Sequence, residues 1–366
     1  MEKINLNILI ITVRADFGGG PEHIYSLVKE LHRENSFYIA CPDDFPYKKK
    51  YAEILGKNRI ILIPHRKFKL SYLFKLKYYV KDNKIKIIHS HGKGAGIYGR
   101  LLSAISGIPC IHTFHGLHTG SYNHYQKLVY IFLEKILSSF TKKNISVSNG
   151  EYNEIIENKI TNPKKIAIIE NGVEIPDSII SEDNFLSSPK ILITFTRFNY
   201  QKNSSQLILI FEELKKQKKA DLFNIILLGT GEEENKIQNM CKEYNLSNLF
   251  SFKGMVENRY DYLKNSFCFI STSRWEGMPL SILEAMSFGV PVIATDVVGN
   301  NNIVEHNKTG FLYNINNPKE AAGYIIKLSE DIELWKSFAA ASRNKIQLNF
   351  SIEKMAIETQ KIYNSI

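Results

Sequence analysis

Two glutamates eight residues apart carry the strongest chemical signal in the chain. Glu276 lies in the run Trp275-Glu276-Gly277-Met278-Pro279-Leu280 and Glu284 follows in Leu283-Glu284-Ala285-Met286. The spacing predicts a loop carboxylate at the C-terminal end of a strand over 269–271 and a second carboxylate in the first turns of a helix. Both would face the crevice where open α/β sheets bind ligands. Two carboxylates around a helix N-terminus fit a ligand that donates sugar hydroxyls and carries phosphates.

Other groups are chemically suggestive but weaker alone. Gly18-Gly19-Gly20-Pro21 forms the turn after the first strand and is expected to open a helix at about Glu22, where backbone N–H groups favour an anion. It lacks the G-x-G-x-x-G spacing of dinucleotide sites, as does Gly229-Thr230-Gly231, since position 234 is Glu. His89 and His91 have the spacing of a metal pair, although strand alternation more simply puts both imidazoles at a strand end. His115 is one of ten histidines, with His89, His91, His112 and His118 around it in sequence, so composition alone favours a structural role. No D-x-D metal motif occurs.

The elements that must position these residues are legible. Short β-branched runs at 8–13, 37–41, 60–63, 85–90, 109–114, 144–147 and 166–169 alternate with helical-period segments, and a second series follows at 190–195, 224–228, 249–252, 268–271, 291–294 and 310–313. That alternation predicts βαβ units around parallel sheets. Between the series, 176–189 is polar, acidic and bracketed by prolines, and is read as a hinge. The expected domains are 1–178 and 179–350, with a last helix over 351–366.

With 366 residues, 44% hydrophobic and 11% aromatic, the chain can bury real cores, which excludes a disordered or fibrous protein. Cys41, Cys110, Cys241 and Cys268 are too dispersed for a disulfide framework or thiolate zinc site and are expected to be reduced and buried. No run reaches the ~18 apolar residues of a membrane-spanning helix, and the first apolar stretch is short for a signal peptide. A cytoplasmic protein is expected.

The net charge of +10 is unevenly placed. Residues 1–178 hold 26 basic and 16 acidic side chains, whereas 179–366 hold 21 of each. Over 70–80, Leu70, Leu73, Leu76 and Val80 fall near one helical face, with Phe74, Tyr78, Tyr79 and lysines around it. Such a helix fits an anionic membrane surface, where each Lys contributes ~1 kcal/mol. The alternative is a solvated helix whose leucines pack on the sheet. No nucleic-acid-binding motif accompanies the charge, so nucleic acid is not an expected partner.

Taken in order, these motifs resemble those of the retaining nucleotide-sugar glycosyltransferases of family 4. The family's E-x7-E is Glu276 to Glu284. Its H-T-x-H-G resembles His112-Thr113-Phe114-His115-Gly116, its N-G-V-D resembles Asn171-Gly172-Val173-Glu174, and its R-x4-K resembles Arg197 to Lys202. The two glycine turns match as well. Glu174 departs from the usual Asp.

The resemblance implies the GT-B fold: two doubly wound Rossmann-like domains with an interdomain cleft, the first binding acceptor and the second the nucleotide sugar. It implies that Arg197 and Lys202 hold the diphosphate, Glu284 the ribose and Glu276 the donor sugar. The backbone of Gly277, Met278, Pro279 and Leu280 would contact sugar and phosphate, and Gly19 and Gly20 would approach the diphosphate. Gly254 and Val256 would frame the base, and His115 would bond the donor sugar. No metal or other cofactor is implied. The expected reaction moves a hexose or N-acetylhexosamine from a nucleoside diphosphate sugar, UDP-linked, to a polyprenyl-diphosphate-linked glycan, with retention. A sugar-nucleotide epimerase of the same fold and a non-catalytic polyanion binder are the rivals.

Overall fold

The computed structural model describes residues 6–117 and 122–366, and His118 lies outside the described residues. The chain divides into two compact units, 1–172 joined by 352–366, and 173–351.

In the first unit β1 (Asn7–Ile11), α1 (Gly19–Leu31), β2 (Ser36–Cys41), α2 (Tyr47–Leu55), β3 (Ile60–Leu62), α3 (Leu70–Asp82), β4 (Ile87–His91), α4 (Lys93–Ser106), β5 (Cys110–Thr113), α5 (His124–Ser139), β6 (Lys143–Ser146), α6 (Asn149–Glu157) and β7 (Ile166–Ile168) alternate along the chain. The strands form one seven-stranded parallel sheet in the order β3-β2-β1-β4-β5-β6-β7. Strand order reverses between β1 and β4, whose carboxyl ends are therefore the switch point where such sheets bind ligands. Every residue of β4 is buried, as expected for a central strand covered on both faces. One core layer joins Ile8, Ile10, Leu27 and Phe37 to Met355 and Tyr363, and another joins Leu9, Ile11, Leu73, Leu76 and Leu102.

The second unit contains α7 (Asp183–Leu186), β8 (Lys190–Phe195), α8 (Ser205–Lys216), β9 (Phe223–Leu228), α9 (Glu234–Glu243), β10 (Phe250–Gly254), α10 (Arg259–Lys264), β11 (Cys268–Ser271), α11 (Leu280–Ser287), β12 (Val292–Thr295), α12 (Asn300–Ile303), β13 (Gly310–Tyr313), α13 (Pro318–Glu330) and α14 (Ile332–Asn349). Its six parallel strands run β10-β9-β8-β11-β12-β13, with the reversal between β8 and β11. The remaining helix, α15 (Ile352–Asn364), belongs to the first unit and packs on α1.

The thirteen strand segments read from the sequence are all strands, with ends moved by at most two residues. Three local readings need correction. Segment 176–189 is no bare linker: Arg343 donates to the Pro176 carbonyl, Ile180 N–H to Phe288, and Asn184 to the carbonyls of Lys264 and Ser266. These bonds tie it to the second unit, which starts at Val173. Helix α1 begins at Gly19 rather than about Glu22. In α3, Leu73, Leu76 and Val80 are buried while Leu70 is 57% exposed, because Leu70 sits at the helix start beyond the sheet. All four cysteines are free and buried. Among the described residues no helix is long and apolar enough to cross a membrane.

Candidate active site

In the second unit the predicted residues collect at the carboxyl ends of β8 and β11. Strand β8 ends at Phe195 and leads directly into Arg197 and the turn carrying Lys202. The glycines of 229–231 are required by this loop. A Cβ on Gly229, whose φ is +134°, would lie 1.7 Å from the Thr196 carbonyl oxygen, and one on Gly231 would lie 2.4 Å from that of Phe198. No side chain fits there, so the G-x-G turn presses on the backbone that presents Arg197.

Beyond β11 the chain forms a loop to α11, and Glu276 sits in it. Its Oε1 accepts from the Lys202 ammonium at 2.7 Å and the Ser273 hydroxyl at 2.6 Å, and its Oε2 accepts from the Gln201 amide at 3.4 Å. Its N–H donates to the Val298 carbonyl. Gly299, with φ +94°, lets that segment approach, since a Cβ there would be 2.6 Å from the Cβ of Glu276. Gly277, Met278, Pro279 and Leu280 are buried and lead into α11, whose N-cap Pro279 contributes no side-chain cap. Glu284 on α11 is buried and accepts from the Arg259 guanidinium.

The structure therefore joins Lys202 to Glu276 and gives Glu284 a cation that sequence reasoning missed. Arg259 stands alone at the start of a short helix, outside any recognised motif. Gln201, Ser273 and Gly299 were missed as well; only their nearness in sequence to Lys202 and Glu276, or a glycine beside a strand end, pointed to them. Gly254, at the end of β10, has φ +63° and accepts from the Gly229 N–H at 2.7 Å, with Val256 two residues on. It lies beside the glycine turn, at the carboxyl edge of the sheet.

In the first unit, α1, β4 and the loop after β5 bring a histidine cluster to the switch point. His91, the last residue of β4, has Nδ1 3.1 Å from His115 Nε2. His23 on α1 packs edge-on against His115, with ring centroids 4.7 Å apart. Its Nδ1 lies 2.9 Å from Asn171 Oδ1, which gives the Asn-Gly-Val motif a structural role: the carbonyl oxygen accepts the Nδ1 proton and leaves Nε2 as an acceptor. His89 points the same way along β4 but is bonded at both nitrogens, to Tyr363 and Thr113. His112 is also committed, between Ser90 and Arg100.

Burial holds these imidazoles neutral, lowering His23 to about 4 and His89 to about 3, and pushing His91 and His112 well below the usual histidine range. His115 itself has φ 62°, a left-handed conformation that costs a non-glycine residue ~1–3 kcal/mol. Its loop is held by Glu151, whose buried carboxylate accepts from the N–H groups of Gly116 and Val147. Burial raises that carboxyl to about 7 against those two bonds. Gly19 and Gly20 form the first turn of α1, and a Cβ on Gly20 would meet nothing within 4 Å.

Two parallel Rossmann-like units, each with its polar residues at the switch point, define a GT-B protein. The family models agree: "Glycosyltransferase Family 4" matches residues 17–175 and "Glycosyl transferases group 1" matches residues 177–345. The chain belongs to the family 4 glycosyltransferases. An Escherichia coli UDP-Gal:alpha-D-GlcNAc-diphosphoundecaprenol alpha-1,3-galactosyltransferase is 30% identical over 86% of this chain and 82% of its own. The E. coli O-antigen biosynthesis glycosyltransferase WbnH is 26% identical over 96% of this chain and 97% of its own. Among solved structures, Anabaena HepE in complex with UDP and glucose superposes with a TM-score of 0.87 at 17% identity, over 99% of this chain and 100% of that one, a likeness of fold.

Proposed function

We propose that this glycosyltransferase moves a hexose or N-acetylhexosamine from a UDP sugar to a growing, polyprenyl-diphosphate-linked glycan of a bacterial surface polysaccharide, with retention of configuration. The observation that carries the reading is the Lys202–Glu276 pair at the switch point of the second unit, 2.7 Å apart and mostly shielded from water. The name of the E. coli galactosyltransferase supports a UDP donor and a lipid-diphosphate acceptor.

As the sugar leaves, negative charge grows on the diphosphate oxygen and positive charge on the anomeric carbon. Arg197 and Lys202 stabilise the first, Arg as a planar fork and Lys as a point charge. Such fixed cations are worth several kcal/mol when aimed at developing charge. Glu276 orients the Lys202 ammonium and accepts from the sugar hydroxyls, while Glu284, held by Arg259, accepts from the ribose. The backbone of Gly277 to Leu280 meets sugar and phosphate, Gly254 and Val256 border the base, Gly19 and Gly20 approach the diphosphate, and His115 bonds the transferring sugar. The leaving phosphate oxygen takes the acceptor proton on the face it departs from, which retains the anomeric configuration. No metal is needed where two cations already face the diphosphate.

The first unit also has a surface suited to the cytoplasmic face of an anionic membrane. Within the unit's own boundaries it holds 28 basic and 16 acidic residues. Tyr125, Leu128, Val129, Phe132, Leu133 and Ile136 form an apolar stripe along α5, and all are at least 45% exposed. Phe74 and Tyr78 on α3 are exposed too, with Lys75, Lys77 and Lys81 on the same helix. Helices α3 and α5 flank α4 on one face of the sheet. Apolar rings beside lysines are what an anionic bilayer surface binds.

The test is a donor screen with purified protein and an extracted lipid-diphosphate acceptor, reading nucleoside diphosphate release and the anomeric proton of the product. Acceptor-dependent turnover with retention, lost in Glu284→Ala and Lys202→Ala, is the expected result. Turnover of donor without acceptor would instead assign an epimerase or hydrolase. Neutralising Lys48, Lys49, Lys50, Lys75, Lys77 and Lys81 together should weaken binding to anionic liposomes, and Phe132→Asp should do so independently. Unchanged binding in both would remove the membrane.

A further inference from the structure

The histidine cluster of the first unit holds more than one sugar-binding imidazole requires. We infer that His23, His91 and His115 form a binding site for a transition-metal dication of the zinc class. One ring nitrogen from each lies within 4.8 Å of the other two. Three nitrogens bound tetrahedrally at ~2.0–2.1 Å sit about 3.3 Å from one another. The His91 Nδ1 to His115 Nε2 distance of 3.1 Å is already close to that value. The His23 nitrogen lies within the 4.8 Å span and would have to draw closer by a small side-chain shift to complete a tetrahedral set.

One further observation favours a cation. Asn171 holds His23 Nδ1, the outer bond that typically fixes the tautomer and aim of a metal-binding histidine. The donor set is all nitrogen. It selects Zn2+, Co2+, Ni2+ or Cu2+ over Mg2+ and Ca2+, which require oxygen ligands. Three protein ligands leave the fourth position to water, and His115 is only partly buried, which gives the ion a path in.

Occupation would fix His115 in the metal shell. Resting on the role proposed above for that residue, the loaded protein is an inhibited form that a chelator reactivates.

The test is titration of the full chain with Co2+, whose tetrahedral complexes absorb strongly in visible light. One equivalent should produce saturable absorption that Zn2+ displaces. His91→Ala and His23→Ala should abolish it, Asn171→Ala should weaken it 10–100-fold, and His124→Ala, on the exposed start of α5, should leave it unchanged. Circular dichroism establishes that each variant is folded. Weak, non-saturating absorption in the wild-type chain, or unaltered Co2+ affinity in folded His91→Ala, would overturn the site. Should Co2+ saturate the trio while donor turnover continues undiminished, the site stands and the role given to His115 falls.

Discussion

Acidification should unfold the first unit and spare the second. Four histidines of the first unit, His23, His89, His91 and His112, are buried with their pKa lowered by desolvation. Unfolding returns each to about 6.5. A base whose folded pKa is depressed contributes stability that is present above 6.5 and is lost as pH falls toward the folded value. Each such histidine removes ~1.4 kcal/mol per pH unit within that window. Four together remove about 5–6 kcal/mol per unit. Glu151, whose carboxyl burial raises to about 7, offsets ~1.4 kcal/mol per unit down to its unfolded 4.5. That leaves ~4 kcal/mol per unit, so a domain stability of ~5–15 kcal/mol is exhausted about one to four units below pH 6.5.

The second unit contains one histidine, His306, and both tryptophans, Trp275 and Trp335. That separation provides the assay. Far-ultraviolet circular dichroism should lose part of its helical signal between about pH 5.5 and 4, while tryptophan emission holds steady over the same range. His89→Gln should move the midpoint to lower pH by removing one of the four slopes. Retention of the full helical signal at pH 4 would refute the argument, as would a midpoint indifferent to His89→Gln.

Further outcomes follow from single contacts. Gly229→Ala puts a Cβ 1.7 Å from the Thr196 carbonyl at a φ of +134°, so it should lower the melting temperature of the second unit and abolish thermal protection by UDP. Arg100 and Glu134 form a buried pair between α4 and α5; Glu134→Ala strands the guanidinium and should cost ~3–5 kcal/mol in denaturant unfolding. Lys202→Ala should reduce kcat/KM for the donor by ~10²–10³-fold, with a smaller loss in Lys202→Arg. Arg259→Ala should raise the UDP dissociation constant through Glu284 without altering the helical spectrum.

The strands were legible because parallel-sheet strands, buried on both faces, are written as short β-branched runs. The places of Arg197, Lys202 and Glu276 were legible because each lies in the loop that follows such a run, where the topology delivers it. Contacts made across the sheet were not. Nothing local to Arg259 shows that it reaches Glu284, 25 residues away, and nothing near Asn171 shows that it holds His23. Helix α5 is the clearest loss: its sequence is apolar nearly all round, as in a fully buried helix, and only packing reveals that Tyr130 and Ile131 turn inward while Phe132 and Leu133 face solvent. In α3, Leu73, Leu76 and Val80 pack on the sheet, as the reading of a solvated helix expects, while Phe74 and Tyr78 stay outside.

The return of the chain to the first unit has a consequence for the order of assembly. Met355 and Tyr363 complete the core beneath α1, and Tyr363 holds His89 at the centre of the sheet, yet α15 is synthesised after all of 173–351. On the ribosome the second unit has its whole sequence in hand first. The unit that begins the chain must wait, with α1 uncovered along the surface that α15 will occupy, until the last helix emerges. A released chain truncated after residue 351 should therefore protect the second unit from protease while leaving the first one open to cleavage.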